Sequence, residues 1–289
     1  MRFRLTALIV ATAIAAACAF PAHASTFGIQ VRNNSNGGGP VDSGPAPVDS
    51  GEVIFSSDQG HPNAYRGRAL AGAGILRARG LATIQGIPAN SNGIGAESRA
   101  SFSLDDVFIT GPVGVTSVNA TMNVLVSGFV DADPTPTVFA GAGFSMSINI
   151  PGSSVSGSFN DNGTVAGGTG LFAGFSGPTI SGSFSSGTGS FSTTGPNVVH
   201  VSIIAGGGAS SNGGIATEFG RGNSDFFDTV NFPTSGPVFN LPAGFTANSI
   251  SGMIVNNQWI GVPEPGSIVL SIVGFIGLAV VRRTWRRRD

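Results

Sequence analysis

Apolar and polar positions alternate with period two along most of this chain, the spacing of strands with one buried face. The clearest run is Phe139–Ile150, where Phe144, Met146, Ile148 and Ile150 alternate with Ser145, Ser147 and Asn149. Glu97–Asp106 follows the same rule, with Ala100, Phe102 and Leu104 on one face and Arg99, Ser101, Ser103 and Asp105 on the other. In Val118–Val130, Met122, Val124 and Val126 share a face, and Gly128 marks a bulge. Ala69–Ile84 sets Ala78 between Arg77 and Arg79, which fits an edge or half-exposed strand. Its glycines at 72, 74 and 80 argue against a helix. Val198–Ile204 is β-branched apart from His200 and Ser202 and reads as a buried strand.

Between these runs the pattern weakens. Residues 25–51 hold Asn33–Pro40 and Ser43–Pro47, tracts too polar to offset their ordering entropy, so a flexible segment is expected there. Thr26–Val31 could still form a short strand. Val155–Thr194 contains an echo, Val155–Phe159 (VSGSF) and Ile180–Phe184 (ISGSF). It reads either as a hairpin pair with bulky residues inward or as a self-associating Gly/Ser/Phe tract. Gly206–Gly214 reads as a glycine-rich loop; without Lys-Ser/Thr or a following helix pattern it is no phosphate cradle. In Asp225–Asn257 the expected core is Phe226, Phe232, Phe239, Leu241 and Phe245, with turns at Gly236-Pro237 and Pro242–Gly244. Ile250, Ile254 and Val255 suggest a last strand reaching Trp259.

About ten strands, mostly with one apolar face and separated by short turns, predict an all-β fold, an antiparallel β-sandwich of jelly-roll-like type. Residues 52–261 form the expected sandwich domain. The chain has 289 residues, 45 of them Gly, and its basic side chains are all arginine. Between Ser25 and Pro265, 7 arginines face 14 carboxylates, a net of −7 that disfavours nucleic acid as a partner.

The two ends differ from the body. Arg2 and Arg4 precede an apolar stretch, Leu5–Phe20, and Ala22-His23-Ala24 suits signal-peptide cleavage after Ala24. Signal peptidase and the secretion translocon are the partners this implies. Cys18 is the single cysteine, so the cleaved chain has no disulfide. At the other end, Pro263-Glu264-Pro265 precedes an uncharged apolar run, Ile268–Val281, and then Arg282, Arg283, Arg286, Arg287 and Arg288. The run has 14 residues, about 21 Å as a helix, a short and marginal transmembrane span. Counted from Gly266 it predicts a membrane helix over 266–281, with the arginines on the cytoplasmic side and the body outside.

The order Pro-Glu-Pro, apolar run, arginine cluster over 262–289 resembles the PEP-CTERM sorting signal. The resemblance implies that Pro263, Glu264 and Pro265 are a recognition motif for an exosortase, with the arginines as a retention cluster. It further implies transient anchoring in the inner membrane, then processing and release to the cell surface or beyond. Asp225, Phe226, Phe239, Leu241, Pro242, Gly244, Ser251 and Gly252 also resemble the closing part of many β-sandwich bodies in that family.

Candidate chemistry is sparse. His61 and His200 are far apart with no third ligand in view. Asp105-Asp106 and Asp131-Ala132-Asp133 read as acidic loops, suited to a weak calcium site or to glycosidase carboxylates only if the fold brings them together. Asp225 and Asp228 read as turn caps. No cofactor and no catalytic residue is expected, and the chain reads as a non-enzymatic exported surface or matrix protein. The alternative is a glycan-binding sandwich, or less readily a polysaccharide hydrolase. A surface polysaccharide would be the partner, with Tyr65 and Trp259 the available non-Phe aromatics of the body.

Overall fold

The computed structural model describes residues 25–33, 37–44, 48–56, 64–72, 74–85, 94–136, 138–211 and 219–260, and every regular element among them is a β-strand. One antiparallel sheet holds β1 (Thr26–Asn33), β2 (Gly37–Gly44), β7 (Ile94–Thr110), β9 (Val138–Ile150), β10 (Ser153–Asp161), β11 (Ala166–Gly170), β14 (Asn197–Ser211) and β17 (Thr246–Ser249). Its order is β11-β10-β9-β14-β7-β1-β2, with β17 paired to the end of β7. The second sheet holds β3 (Val48–Asp49), β4 (Val53–Ser56), β5 (Ala64–Gly72), β6 (Ile75–Gln85), β8 (Ser117–Asp133), β12 (Thr179–Ser185), β13 (Gly189–Ser192), β15 (Phe219–Asn231) and β16 (Phe239–Asn240). Its order is β12-β8-β15-β6-β5-β3; β4 joins β5, and β13 and β16 join β8. A ribbon of β18 (Ile254–Val255) and β19 (Gln258–Trp259) closes the described chain.

The alternation read from the sequence is what holds the two sheets face to face. Phe102, Leu104, Phe144, Met146, Ile148, Val201 and Ile203 of the first sheet and Leu76, Met122, Val124, Val126, Phe226 and Val230 of the second are buried in one core. Burying each such side chain is worth about 1.5–3 kcal/mol. The Phe144 and Phe226 rings stack across the gap, centroids 3.6 Å apart. Phe226 fits because Gly128 opposite has no Cβ: an added one would lie 2.4 Å from the ring. The bulge suspected at Gly128 is on its partner, where β15 shifts register against β8 between Asp225 and Thr229.

At the other end the filling changes from phenylalanine to glycine. A Cβ on Gly207 would lie 2.1 Å from the Gly222 carbonyl oxygen, and one on Gly222 would lie 2.1 Å from that of Gly141. The sheets meet there backbone to backbone. Gly206–Gly208, expected in a loop, therefore lie inside β14; a loop and a tight sheet contact both select glycine.

Other expectations need correction. Thr26–Asn33 is a full strand between β2 and β7, and residues 25–51, expected to be flexible, supply β1, β2 and β3. The pairing offered by β7 gives Phe27, Ile29 and Val31 a core to enter. The VSGSF and ISGSF segments do not pair; they lie in β10 and β12, in opposite sheets. β6 is an interior strand, its arginines on the outer face. Val198–Ile204 buries only one face, through Val199, Val201 and Ile203.

The membrane part of the expected fold is corrected as well. Among the described residues there is no helix, and so none long and apolar enough to cross a membrane. The 14-residue apolar run was already short of the roughly 20 residues that a span needs. Among the described residues the fold is all-β and antiparallel, and the span expected over 266–281 lies outside them. Inner-membrane anchoring, membrane partnership and sorting by exosortase processing depend on such a helix, and no helix among the described residues supports them. Ala22, Ala24, Pro263, Glu264, Pro265, Arg282, Arg283, Arg286, Arg287 and Arg288 lie outside the described residues, as does His61.

Candidate functional site

The outer face of the first sheet is built by the polar halves of the same alternating strands. Ser145, Ser147 and Asn149 of β9 point away from a side occupied by the buried Phe144, Met146, Ile148 and Ile150. Antiparallel register sets Ser156 of β10 opposite Ser147, Ser147 opposite Ser202 of β14, and Ser202 opposite Ser101 of β7. Four neighbouring strands thus carry one row of serines, spaced about 4.8 Å apart across the sheet. A second row reads Thr169 (β11), Ser158, Ser145, Ile204, Arg99, Gln30, and a third reads Ser154, Asn149, His200, Ser103, Thr26. Rows repeat about every 6.8 Å along the strands.

A cleft of about 440 Å³ lies over this array, lined by Ser145, Ser147, Ser156, Ser158, Thr169 and Ser202 together with Gly157, Gly170, Met146 and Ile204. A further depression of about 430 Å³ adjoins its third row at Asn149 and His200 and reaches Ser190, Ser192 and Asn197. Neither is lined by a carboxylate or a cationic side chain other than His200. Burial pushes the His200 imidazole below its ordinary pKa, so it is neutral at neutral pH.

The hydroxyls are oriented but not saturated. Ser147 and Ser202 share a hydrogen bond of 2.8 Å, and Ser158 and Thr169 one of 3.0 Å. The Ser154 hydroxyl donates to Asn149 Oδ1. A hydroxyl offers one donor and two acceptor positions, so each pair keeps unused capacity toward solvent. The second sheet also has an uncharged polar patch, but its groups are consumed internally. Asn123 Nδ2 donates to Pro237 O and Asn240 Oδ1, Asn240 Nδ2 donates to Thr121 Oγ1 and Asn123 Oδ1, and the Ser185 hydroxyl donates to Asn123 Oδ1. That network pins β16 to β8.

Beside the serine rows lies a charged corner. Arg32 of β1 grips Glu97 of β7 through two hydrogen bonds, 3.0 and 3.1 Å, and Arg99 Nε donates to the same carboxylate. Burial would raise the Glu97 carboxyl; the hydrogen bonds from Arg32 and Arg99 outweigh it and hold the group below the usual carboxylate range. On the outer face of β5 and β6, Arg68 pairs with Asp49, Arg66 and Arg79 with Glu52, and Arg79 also with Asp225. Arg68 and Arg77 sit over the Phe227 ring, 4.4 and 5.6 Å from its centroid.

The acidic pairs noted in the sequence are placed elsewhere and do not converge. Asp105-Asp106 lies in β7, not in a loop, at a bulge where these two residues face the single Val198 of β14. Asp106 is fully buried, and its Oδ2 accepts from Ser251 N at 2.7 Å. Asp131 and Asp133 end β8, with Asp131 paired to Arg221. Asp225, read as a turn cap, lies inside β15 at its bulge, where its Oδ1 accepts from Phe227 N at 3.0 Å. Among the described residues, no group of three or more His, Cys, Asp or Glu is placed to hold a metal ion. Trp259 packs on Phe232, centroids 5.0 Å apart, and lines neither cleft; the backbone of Tyr65 lies in β5.

No family model, curated protein or solved structure matches this chain.

Proposed function

We propose that this chain is an exported, non-enzymatic β-sandwich module that binds a polysaccharide along the serine rows of its first sheet. The row Ser156–Ser147–Ser202–Ser101 carries the reading. A sugar chain presents hydroxyls at short, regular intervals, and a hydroxyl array with spare donors and acceptors is its chemical complement. The rows stand on strands whose inward side chains are fully packed, so little ordering entropy is lost on binding. A cleft free of carboxylates supports binding in preference to hydrolysis, which needs a pair of them across the bond. Export rests on the basic, apolar and small-residue order of residues 1–24.

The test is affinity electrophoresis and titration calorimetry of the full chain with dextran and polygalacturonate. Binding to at least one is expected, with a Kd on the order of 10⁻⁴ M for an open polar face. Ser147→Val with Ser202→Val installs β-branched strand formers and removes two hydroxyls, which should cost about 1–3 kcal/mol, roughly fivefold to a hundredfold in affinity. Absence of retardation by both polymers would end this reading.

A further inference from the structure

The charged corner defines which class of polysaccharide the face takes. Resting on the glycan-binding reading above, we propose that the polymer is acidic and that Arg99 receives a sugar carboxylate. The argument starts from a mismatch in charge. Two guanidinium groups, Arg32 and Arg99, share the single carboxylate of Glu97, which leaves one positive charge at this corner of a body whose net charge is −7. The two arginines are not equivalent. Arg32 spends Nε and Nη2 on Glu97 in a bidentate grip. Arg99 spends only Nε, so among the described residues its two Nη groups have no partner, while its side chain is 41% exposed.

Such an open pair of Nη groups matches a carboxylate in a planar, two-bond geometry. Glu97 holds the guanidinium in place without using that edge. Its own carboxyl stays ionised because both arginines hold it so, and the clamp persists across the neutral range. Position completes the case. Arg99 lies in the row of Thr169, Ser158, Ser145 and Ile204, two strands from Ser145, about 10 Å across the sheet. It also neighbours Ser101, the last serine of the first row, two residues along β7. A chain laid over the hydroxyls therefore runs toward the guanidinium. On the arginine-rich outer face of β5 and β6, by contrast, Arg66, Arg68 and Arg79 each face a carboxylate already, and no serine row leads to them.

The experiment compares polygalacturonate, a polymer of uronic acid, with dextran, a neutral one, against four forms of the full chain: unaltered, Arg99→Ala, Arg99→Lys and, as a control on the other sheet, Arg66→Ala. Thermal unfolding first verifies that each variant is folded. The unaltered protein is expected to bind polygalacturonate about tenfold more tightly than dextran, with the preference shrinking as salt is raised. Arg99→Ala should abolish the preference, bringing polygalacturonate binding down to the level of dextran. Arg99→Lys should retain part of it, since charge survives and the two-bond geometry does not. Arg66→Ala should change neither. Equal binding of the two polymers, or a preference that survives in Arg99→Ala, would overturn the acidic assignment while leaving the hydroxyl face as a glycan site. Failure of the unaltered protein to bind both polymers would overturn the underlying reading and this one together.

Discussion

Substituting Gly222 by alanine tests the backbone contact between the sheets directly. The new Cβ would lie 2.1 Å from Gly141 O, 2.6 Å from Gly208 O and 2.9 Å from Gly208 N. All three are backbone atoms of the opposite sheet, so no side chain can rotate away. The strands must move apart by about 1 Å to restore contact, and that separation propagates into the packed core beside it. Overpacking of this kind costs about 1–3 kcal/mol, and three simultaneous backbone clashes put Gly222→Ala at the upper end. For a body of this size, about 3 kcal/mol lowers the melting temperature by roughly 6–12 °C. Gly208→Ala is the matched control, because its Cβ would face outward with Ile94 O nearest at 3.6 Å, an ordinary contact. That substitution should be neutral or stabilising by a few tenths of a kcal/mol, through lower entropy of the unfolded chain. Urea denaturation of both variants gives the difference. Equal midpoints for Gly222→Ala and Gly208→Ala would refute direct backbone contact and the physical account of the glycines in β14 and β15.

Phe226→Ala removes a fully buried ring stacked on Phe144 and should cost about 3–5 kcal/mol by chemical denaturation. Asp106→Ala strips the acceptor from Ser251 N and should destabilise by about 1–3 kcal/mol, whereas Asp106→Asn keeps an acceptor there and should cost less. The folded-state pKa of Glu97 is depressed, so its contribution is present above the unfolded value of 4.5 and is lost as pH falls through the folded one. The gap in denaturation midpoint between the unaltered protein and Glu97→Gln should therefore be small but measurable at pH 7 and should close on acidification. His200 has the same sign: its depressed pKa means that stability falls as pH drops below 6.5, and His200→Asn should remove that slope between the unfolded and folded values.

Strand faces were legible wherever alternation was strict. Met122, Val124 and Val126 of β8 and Phe144, Met146, Ile148 and Ile150 of β9 are buried as their spacing demanded. Sheet membership was not legible, because alternation says which side of a strand is wet and nothing about its neighbours. VSGSF and ISGSF are nearly the same five residues, yet they enter opposite sheets. The serine row was hidden for the same reason. Its members, at 101, 147, 156 and 202, come from four strands, and only the register across three pairings aligns them. Aromatic residues drew attention as sugar platforms, but Trp259 was needed to cover Phe232. The unsaturated arginine was equally invisible, since Glu97-x-Arg99 gives no sign that Arg32 arrives from β1 to compete for the carboxylate.

The outer faces of this sandwich answer to weaker constraints than its core. Any soluble side chain would satisfy alternation at Ser145, Ser147, Ser156, Ser158 and Ser202, and charged residues would protect a sheet from association better than serine does. The chain does use charge elsewhere: Arg66, Arg68 and Arg79 with Asp49, Glu52 and Asp225 cover β5 and β6 and its neighbours in just that way. Serine has poor strand-forming preference and buries little apolar area, so five of them on adjoining strands give up stability that valine, threonine or a salt-bridged pair would have supplied. A strand-weakening choice concentrated over one cleft, in a molecule that covers another face with ion pairs, is best explained by what the hydroxyls contact from outside. The Ser147–Ser202 and Ser158–Thr169 hydrogen bonds leave donor or acceptor capacity unspent on hydroxyls that line the cleft.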